Sequence, residues 1–153
     1  MRRGFDMHER IPEEIAQREL DERCAHALGY ITFWGDGGFG ETLYLWDNEA
    51  IRDGNSTRNC RLLGARWERV RVGEEIRELM VRLCPAFSAR LEDAKILEDE
   101  IARRGLREPY CMALWEATGI DGAADFETSL GWPLIRATPE QRARAFAKAV
   151  ERP

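Results

Sequence analysis

The sequence lacks a long apolar run and an excess of basic residues. No window approaches the ~20 apolar residues that a membrane-spanning helix needs, so we expect a soluble protein without membrane association. The formal net charge of -5 at pH 7 argues against general binding to nucleic acid or to anionic membranes, because both need a broad basic surface. An acidic protein can still have a discrete site for one ligand or one partner protein.

Cysteine and histidine are also scarce. The four cysteines form no C-x-x-C pair, the two histidines are far apart, and no apolar leader follows Met1. We therefore expect reduced thiols, a cytoplasmic location, and neither a metal nor another cofactor. Cys24 and His26 lie on one predicted helix, where we expect the thiol in the core and the imidazole at the surface.

The length of 153 residues, with 44% hydrophobic and 33% charged residues, is typical of one globular domain. We expect a flexible N-terminus over residues 1–10. Residues 11–153 are expected to form a single domain, with an insertion at about 35–84. No internal repeat and no low-complexity tract divides the chain.

Apolar spacing predicts several helices. Residues recurring at intervals of three and four favour helices, which are expected at 11–28, 74–83, 88–104 and 138–152. The last of these has the clearest start, because Thr138 and Gln141 form a capping box around Pro139.

Aromatic and β-branched runs predict the strands. They are expected at 30–34, 42–46, 66–72, 109–115 and 124–134, and a glycine loop at 35–40 joins the first two into a hairpin. The predicted fold class is therefore α+β, with an antiparallel β-sheet packed against amphipathic helices in an α/β/α sandwich-like arrangement.

Three segments together resemble the phage ABA sandwich domain family of small phage and prophage proteins. They are Arg18–Tyr30, Pro85–Leu97 and Ala137–Ala149, and their order matches that family. The resemblance implies a sheet between helical layers and a phage origin, and it transfers no catalytic residue. The sequence departs from the family between Trp34 and Pro85, where about fifty residues replace a shorter connection.

The departing segment contains the candidate ligand site. The glycine loop allows backbone amides to approach a phosphate, and arginines alternating with a tryptophan are suited to stacking a base and holding phosphates. An ordinary hairpin loop and an arginine-rich solvent face explain the same residues. The predicted ligand-binding residues are Gly37, Gly38, Arg58, Arg66, Trp67, Arg69 and Arg71.

A second basic feature is the exposed side of the last helix, where the charges also complement the helix dipole. Its members are Arg142, Arg144, Lys148 and Arg152. No set of residues stands out as catalytic.

These observations favour a phage- or prophage-encoded, non-enzymatic binding protein that counteracts host antiviral defence. Such a protein would sequester a nucleotide immune signal, or mask a defence effector protein such as a CRISPR nuclease. Two alternatives stay open: a small hydrolase or transferase acting on a nucleotide or another phosphate ester, and a structural or regulatory phage protein that works as a homo-oligomer.

Overall fold

The computed structural model describes residues 12–52, 61–118 and 136–151. It confirms the α+β class and the antiparallel sheet. The elements in chain order are α1 Pro12–Ala27, β1 Ile31–Asp36, β2 Glu41–Trp46, β3 Arg66–Val72, β4 Glu75–Leu83, α2 Leu91–Arg104, α3 Arg107–Thr118 and α4 Pro139–Glu151.

The chain divides into two compact units. The strand unit consists of 1–15 and 29–84, and the helical unit consists of 16–28 and 85–153. The expectation of a single domain with an insertion at 35–84 stays a prediction.

The strand unit is a four-stranded antiparallel sheet in the order β1-β2-β4-β3. Long ladders join β1 to β2 and β3 to β4, whereas a single pair, Asp36 with Arg71, joins β1 to β3 and closes the sheet. Gly35 makes this closure possible, because a Cβ at that position would lie 2.5 Å from the Val70 side chain and 3.2 Å from the Arg71 carbonyl.

The core of the strand unit is formed by apolar side chains from all four strands. Tyr44, Val70 and Val81 are buried, and Phe33 and Trp46 pack against them. The Phe33 ring stacks on Tyr44 with 5.4 Å between centroids. It also meets Trp46 edge-on at 6.3 Å.

The helix predicted at 74–83 is wrong, because these residues form β4. Gly73, with a φ of 64°, allows a two-residue turn that returns the chain from Val72 to Glu75. Met80 and Val81 are adjacent in sequence and both buried, so the two faces of β4 are both apolar at this point. Apolar residues on two faces of a strand reproduced helical spacing by coincidence.

In the helical unit, α2, α3 and α4 contact one another. The unit also includes most of α1. Asp21 is 1% exposed and accepts a hydrogen bond from the backbone amide of Ser88 at 2.7 Å. The Cys24 thiol is buried and donates to the Ala143 carbonyl at 3.6 Å, so it has the expected core position, and His26 is exposed as expected.

The predicted capping box of α4 and the predicted glycine at the end of α2 are confirmed, whereas α2 starts at Leu91 and not at residue 88. At the start of α4, the Gln141 side chain accepts a hydrogen bond from the Thr138 amide at 2.9 Å, and the Thr138 hydroxyl accepts one from the Gln141 amide at 3.1 Å. Gly105 ends α2 in the left-handed conformation, with a φ of 71°.

The strand predicted at 109–115 is also wrong, because these residues lie in α3. Pro109 is the third residue of this helix, where the backbone amide has no partner inside the helix, so proline is tolerated there. Tyr110, Ala113 and Leu114 are buried at helical spacing. The strand predicted at 124–134 lies outside the described residues.

Within the described ranges, no helix combines the length and the apolar character needed to cross a bilayer. The thiols of Cys24, Cys84 and Cys111 are free of disulfides.

Candidate functional site

A cavity of about 470 Å³ opens beside the loop between β1 and β2, and we call it the loop cavity. It brings together two of the predicted ligand-binding residues, Gly37 and Arg66. Its remaining lining comes from β2, β3, β4 and the loop itself. The full lining is Gly37, Phe39, Gly40, Glu41, Thr42, Tyr44, Arg66, Glu68 and Leu83.

The loop is held by its own carboxylate. One oxygen of Asp36 accepts hydrogen bonds from the backbone amides of Gly38 at 2.7 Å and Gly40 at 3.1 Å. Both glycines have positive φ angles, 118° and 104°, that other residues rarely adopt. Two amides of the kind that would bind a phosphate are thus bonded to an internal anion.

Negative charge predominates around the loop cavity. Burial raises the pKa of the Tyr44 phenol, the carboxylates of Glu68 and Asp36 raise it further, and the Gly37 amide opposes them. The Arg66 guanidinium is 3.7 Å from the carboxylate of Glu68. With Glu41 also in the lining, the local charge suits a cationic group better than a phosphate.

The mouth of the loop cavity carries exposed apolar side chains. Phe39 stands at the tip of the loop and is fully exposed, and Leu83 at the end of β4 is 59% exposed. An aromatic ring without any protein cover, on a loop fixed by hydrogen bonds, is available to a partner without rearrangement of the loop.

The other predicted residues of β3 lie on its opposite face, because successive side chains of a strand alternate. Trp67, Arg69 and Arg71 are therefore separated from Arg66. Arg52 lies over the Trp67 ring, 5.6 Å from its centroid, and also forms an ion pair with Glu78. Arg58 lies outside the described residues.

Asp47, directly after β2, binds two backbone amides through its side chain. Its carboxylate accepts hydrogen bonds from the backbone amides of Glu49 at 3.1 Å and Arg61 at 2.8 Å. Burial raises the pKa of Asp47, and several backbone hydrogen bonds outweigh this effect and lower it. This carboxylate therefore stays charged and holds the backbone at Glu49 and at Arg61 in place.

The basic residues of the last helix have structural partners. Arg142 pairs with Glu98, Arg144 with Glu140, and Lys148 with Glu116. Arg152 lies outside the described residues. The pairs of Arg144 and Lys148 account for their charges without a ligand. Arg142 is only 9% exposed, so the expectation that it lies on the exposed side of the helix is wrong.

The predicted ligand-binding residues include two of the nine lining residues of the loop cavity and omit the other seven. A signal for one of them was available, since a phenylalanine between glycines in a hairpin loop cannot reach the core. The inward position of the others depends on the register between strands, which a single sequence does not give. The omitted residues are Phe39, Gly40, Glu41, Thr42, Tyr44, Glu68 and Leu83.

The chain matches no family model, and the searches of curated proteins and of solved structures found no significant match. The resemblance to the phage ABA sandwich domain family therefore stays a prediction from the sequence.

Proposed function

We propose that this protein is a non-enzymatic binding protein that covers a basic surface of a partner protein with its loop cavity. Within the phage hypothesis, the partner is a host defence effector that the protein masks. The observation that carries the proposal is the fully exposed Phe39 on a loop held by Asp36 beside an acidic cavity. A pre-formed aromatic contact costs little conformational entropy when it binds.

Charge complementarity supports a protein partner over a nucleotide signal. A basic side chain of the partner would meet Glu41 and Glu68 inside the cavity, while Phe39 and Leu83 contact apolar surface around it. A nucleotide would have to compete with Asp36 for the loop amides and with Arg52 for the ring of Trp67.

The test is expression of the protein in bacteria that carry individual defence systems, followed by counting plaques of a sensitive phage. We expect wild-type protein to restore plaques against at least one system and Phe39→Ser to lose this effect. Leu63→Ser is the matched control, because Leu63 is 85% exposed in the same unit and does not line the loop cavity. It should behave as wild type.

Other outcomes separate the alternatives. Full activity of every defence system would exclude counter-defence, and equal effects of Phe39→Ser and Leu63→Ser would exclude the loop cavity as the contact. Saturable binding of a cyclic nucleotide to the purified protein would instead favour sequestration of a signal. Recovery of that nucleotide as a product after denaturation would indicate an enzyme.

A further inference from the structure

The geometry points to a second binding site, in the helical unit, for a small organic carboxylate. A cavity of about 480 Å³ opens among α2, α3 and α4, and we call it the helix cavity. This volume lies within the range of small-molecule sites, roughly 300–1,000 Å³. The lining residues are Glu98, Ile101, Ala102, Arg107, Tyr110, Cys111 and Arg142.

One wall of the helix cavity is a fixed polar network. One carboxylate oxygen of Glu98 accepts hydrogen bonds from the Tyr110 hydroxyl and from the Arg142 guanidinium, each at 2.6 Å. Arg142 also donates to the Ala137 carbonyl at 3.2 Å, and the residue is only 9% exposed. A guanidinium held at two points is pre-organised, so little side-chain entropy would be lost when a ligand binds beside it.

Arg107 adds a positive charge to the lining that no group of this network neutralises. Among the residues that the structure describes, no side chain forms an ion pair or hydrogen bond with the Arg107 guanidinium. The lining thus contains two guanidinium groups and one carboxylate, a local excess of positive charge in an acidic protein. This excess favours an anion, and a guanidinium matches the two oxygens of a carboxylate.

The rest of the lining suits a hydrocarbon body. Ile101 and Ala102 give apolar surface from α2, and the Cys111 thiol faces them from α3. Burial raises the pKa of Cys111, so the thiol stays neutral at pH 7 and adds no negative charge to the site. The expected ligand is therefore a carboxylate attached to a short apolar group.

The experiment is an NMR titration of the isotope-labelled full chain with hexanoate and, separately, with hexylamine. These probes share a hydrocarbon chain and carry opposite charges. We expect hexanoate to shift the amide signals of residues 98–111 saturably, and hexylamine to leave them unchanged. Arg107→Gln should weaken hexanoate binding about ten-fold, the size expected when one charged hydrogen-bonded contact is lost.

Arg144→Gln is the matched control, since Arg144 is an exposed arginine of the same unit that does not line the helix cavity. It should bind hexanoate as wild type does. Equal responses to both probes, no response to hexanoate, or an unchanged affinity in Arg107→Gln would each overturn the proposal. The spectrum of each variant without ligand shows whether it is folded, and neither substitution removes a buried side chain.

Discussion

The hydroxyl of Tyr44 lies against the α-carbon of Gly37, so that a Cβ at position 37 would overlap this oxygen. The contact joins the loop to β2 from inside the loop cavity. It makes glycine at position 37 a requirement of packing, because Tyr44 is 4% exposed and its ring cannot shift away without disturbing the core of the strand unit.

Gly37→Ala should therefore lower the free energy of unfolding by about 1 to 3 kcal/mol, the usual cost of overpacking. Urea denaturation measures it. The same substitution in a Tyr44→Phe background should cost less, because the overlapping oxygen is gone. An equal cost in both backgrounds would show that the overlap is not the cause.

Asp36→Ala should free the amides of Gly38 and Gly40 from their shared acceptor. Hydrogen exchange at these two amides should become faster, and the free energy of unfolding should fall by about 1 to 2 kcal/mol. Asp36→Asn keeps an acceptor oxygen and should lie between wild type and Asp36→Ala. Unchanged exchange rates in Asp36→Ala would mean that the carboxylate does not hold the loop.

Arg142→Leu should lower the free energy of unfolding by about 2 to 3 kcal/mol, because Glu98, which is 25% exposed, would lose its charged partner and keep only the hydrogen bond from Tyr110. Arg144→Leu on the same helix removes an exposed pair with Glu140 and should cost less than about 1 kcal/mol. Thermal and urea denaturation of both variants give the comparison. Similar costs for the two would contradict the role of burial.

Glu100→Gln should change how stability depends on pH. Hydrogen bonds from Arg103, aided by Arg104 and opposed by burial, lower the pKa of Glu100 from 4.5 to about 2. As the pH falls, the unfolded chain takes up this proton first, so the stabilisation is complete above pH 4.5 and is lost as the pH falls towards 2.

At pH 7 the variant should be about 1 kcal/mol less stable than wild type, a value reduced for solvent screening because Arg103 is 70% exposed. Urea denaturation between about pH 7 and about pH 3 should show this difference narrowing. Glu92→Gln, which changes a side chain that is 82% exposed, should follow wild type throughout. A constant difference between Glu100→Gln and wild type would refute the linkage.

Sequence patterns predicted the elements whose ends are marked by particular residues, such as a capping pair or a glycine. The capping box of Thr138 with Gln141 and the left-handed Gly105 depend on neighbours in sequence, so the chain alone shows them. The hairpin of β1 and β2 was visible for the same reason, because a glycine loop separates two aromatic runs.

The wrong predictions at 74–83 and 109–115 arose where apolar residues face more than one side. In β4, Met80 and Val81 are both buried, and the two-residue turn at Gly73 was the overlooked signal for a strand. In α3, Tyr110, Ala113 and Leu114 are buried at helical spacing, and Pro109 lies in the first turn, where a helix tolerates it.

The candidate site was predictable only in part. Gly37 and Arg66 do share a cavity, because the loop and the start of β3 meet there. Trp67 belongs to the other face of β3, and the period-two alternation of a strand, which separates it from Arg66, was an overlooked signal. The ion pair that holds Arg52 over Trp67 joins residues 52 and 78, and such long-range contacts are set by the fold.

The helical unit is assembled from two stretches of chain with the whole of 29–84 between them. Its hydrogen bonds from Ser88 to Asp21 and from Cys24 to Ala143 span 67 and 119 positions. During synthesis, the segment that contains Asp21 and Cys24 therefore cannot form these contacts until Ser88 and Ala143 have left the ribosome. The ladders of the strand unit join residues at shorter separations, so they can form once Cys84 has emerged. Because its strands are synthesised first, the loop cavity can form on the nascent chain before the helix cavity does.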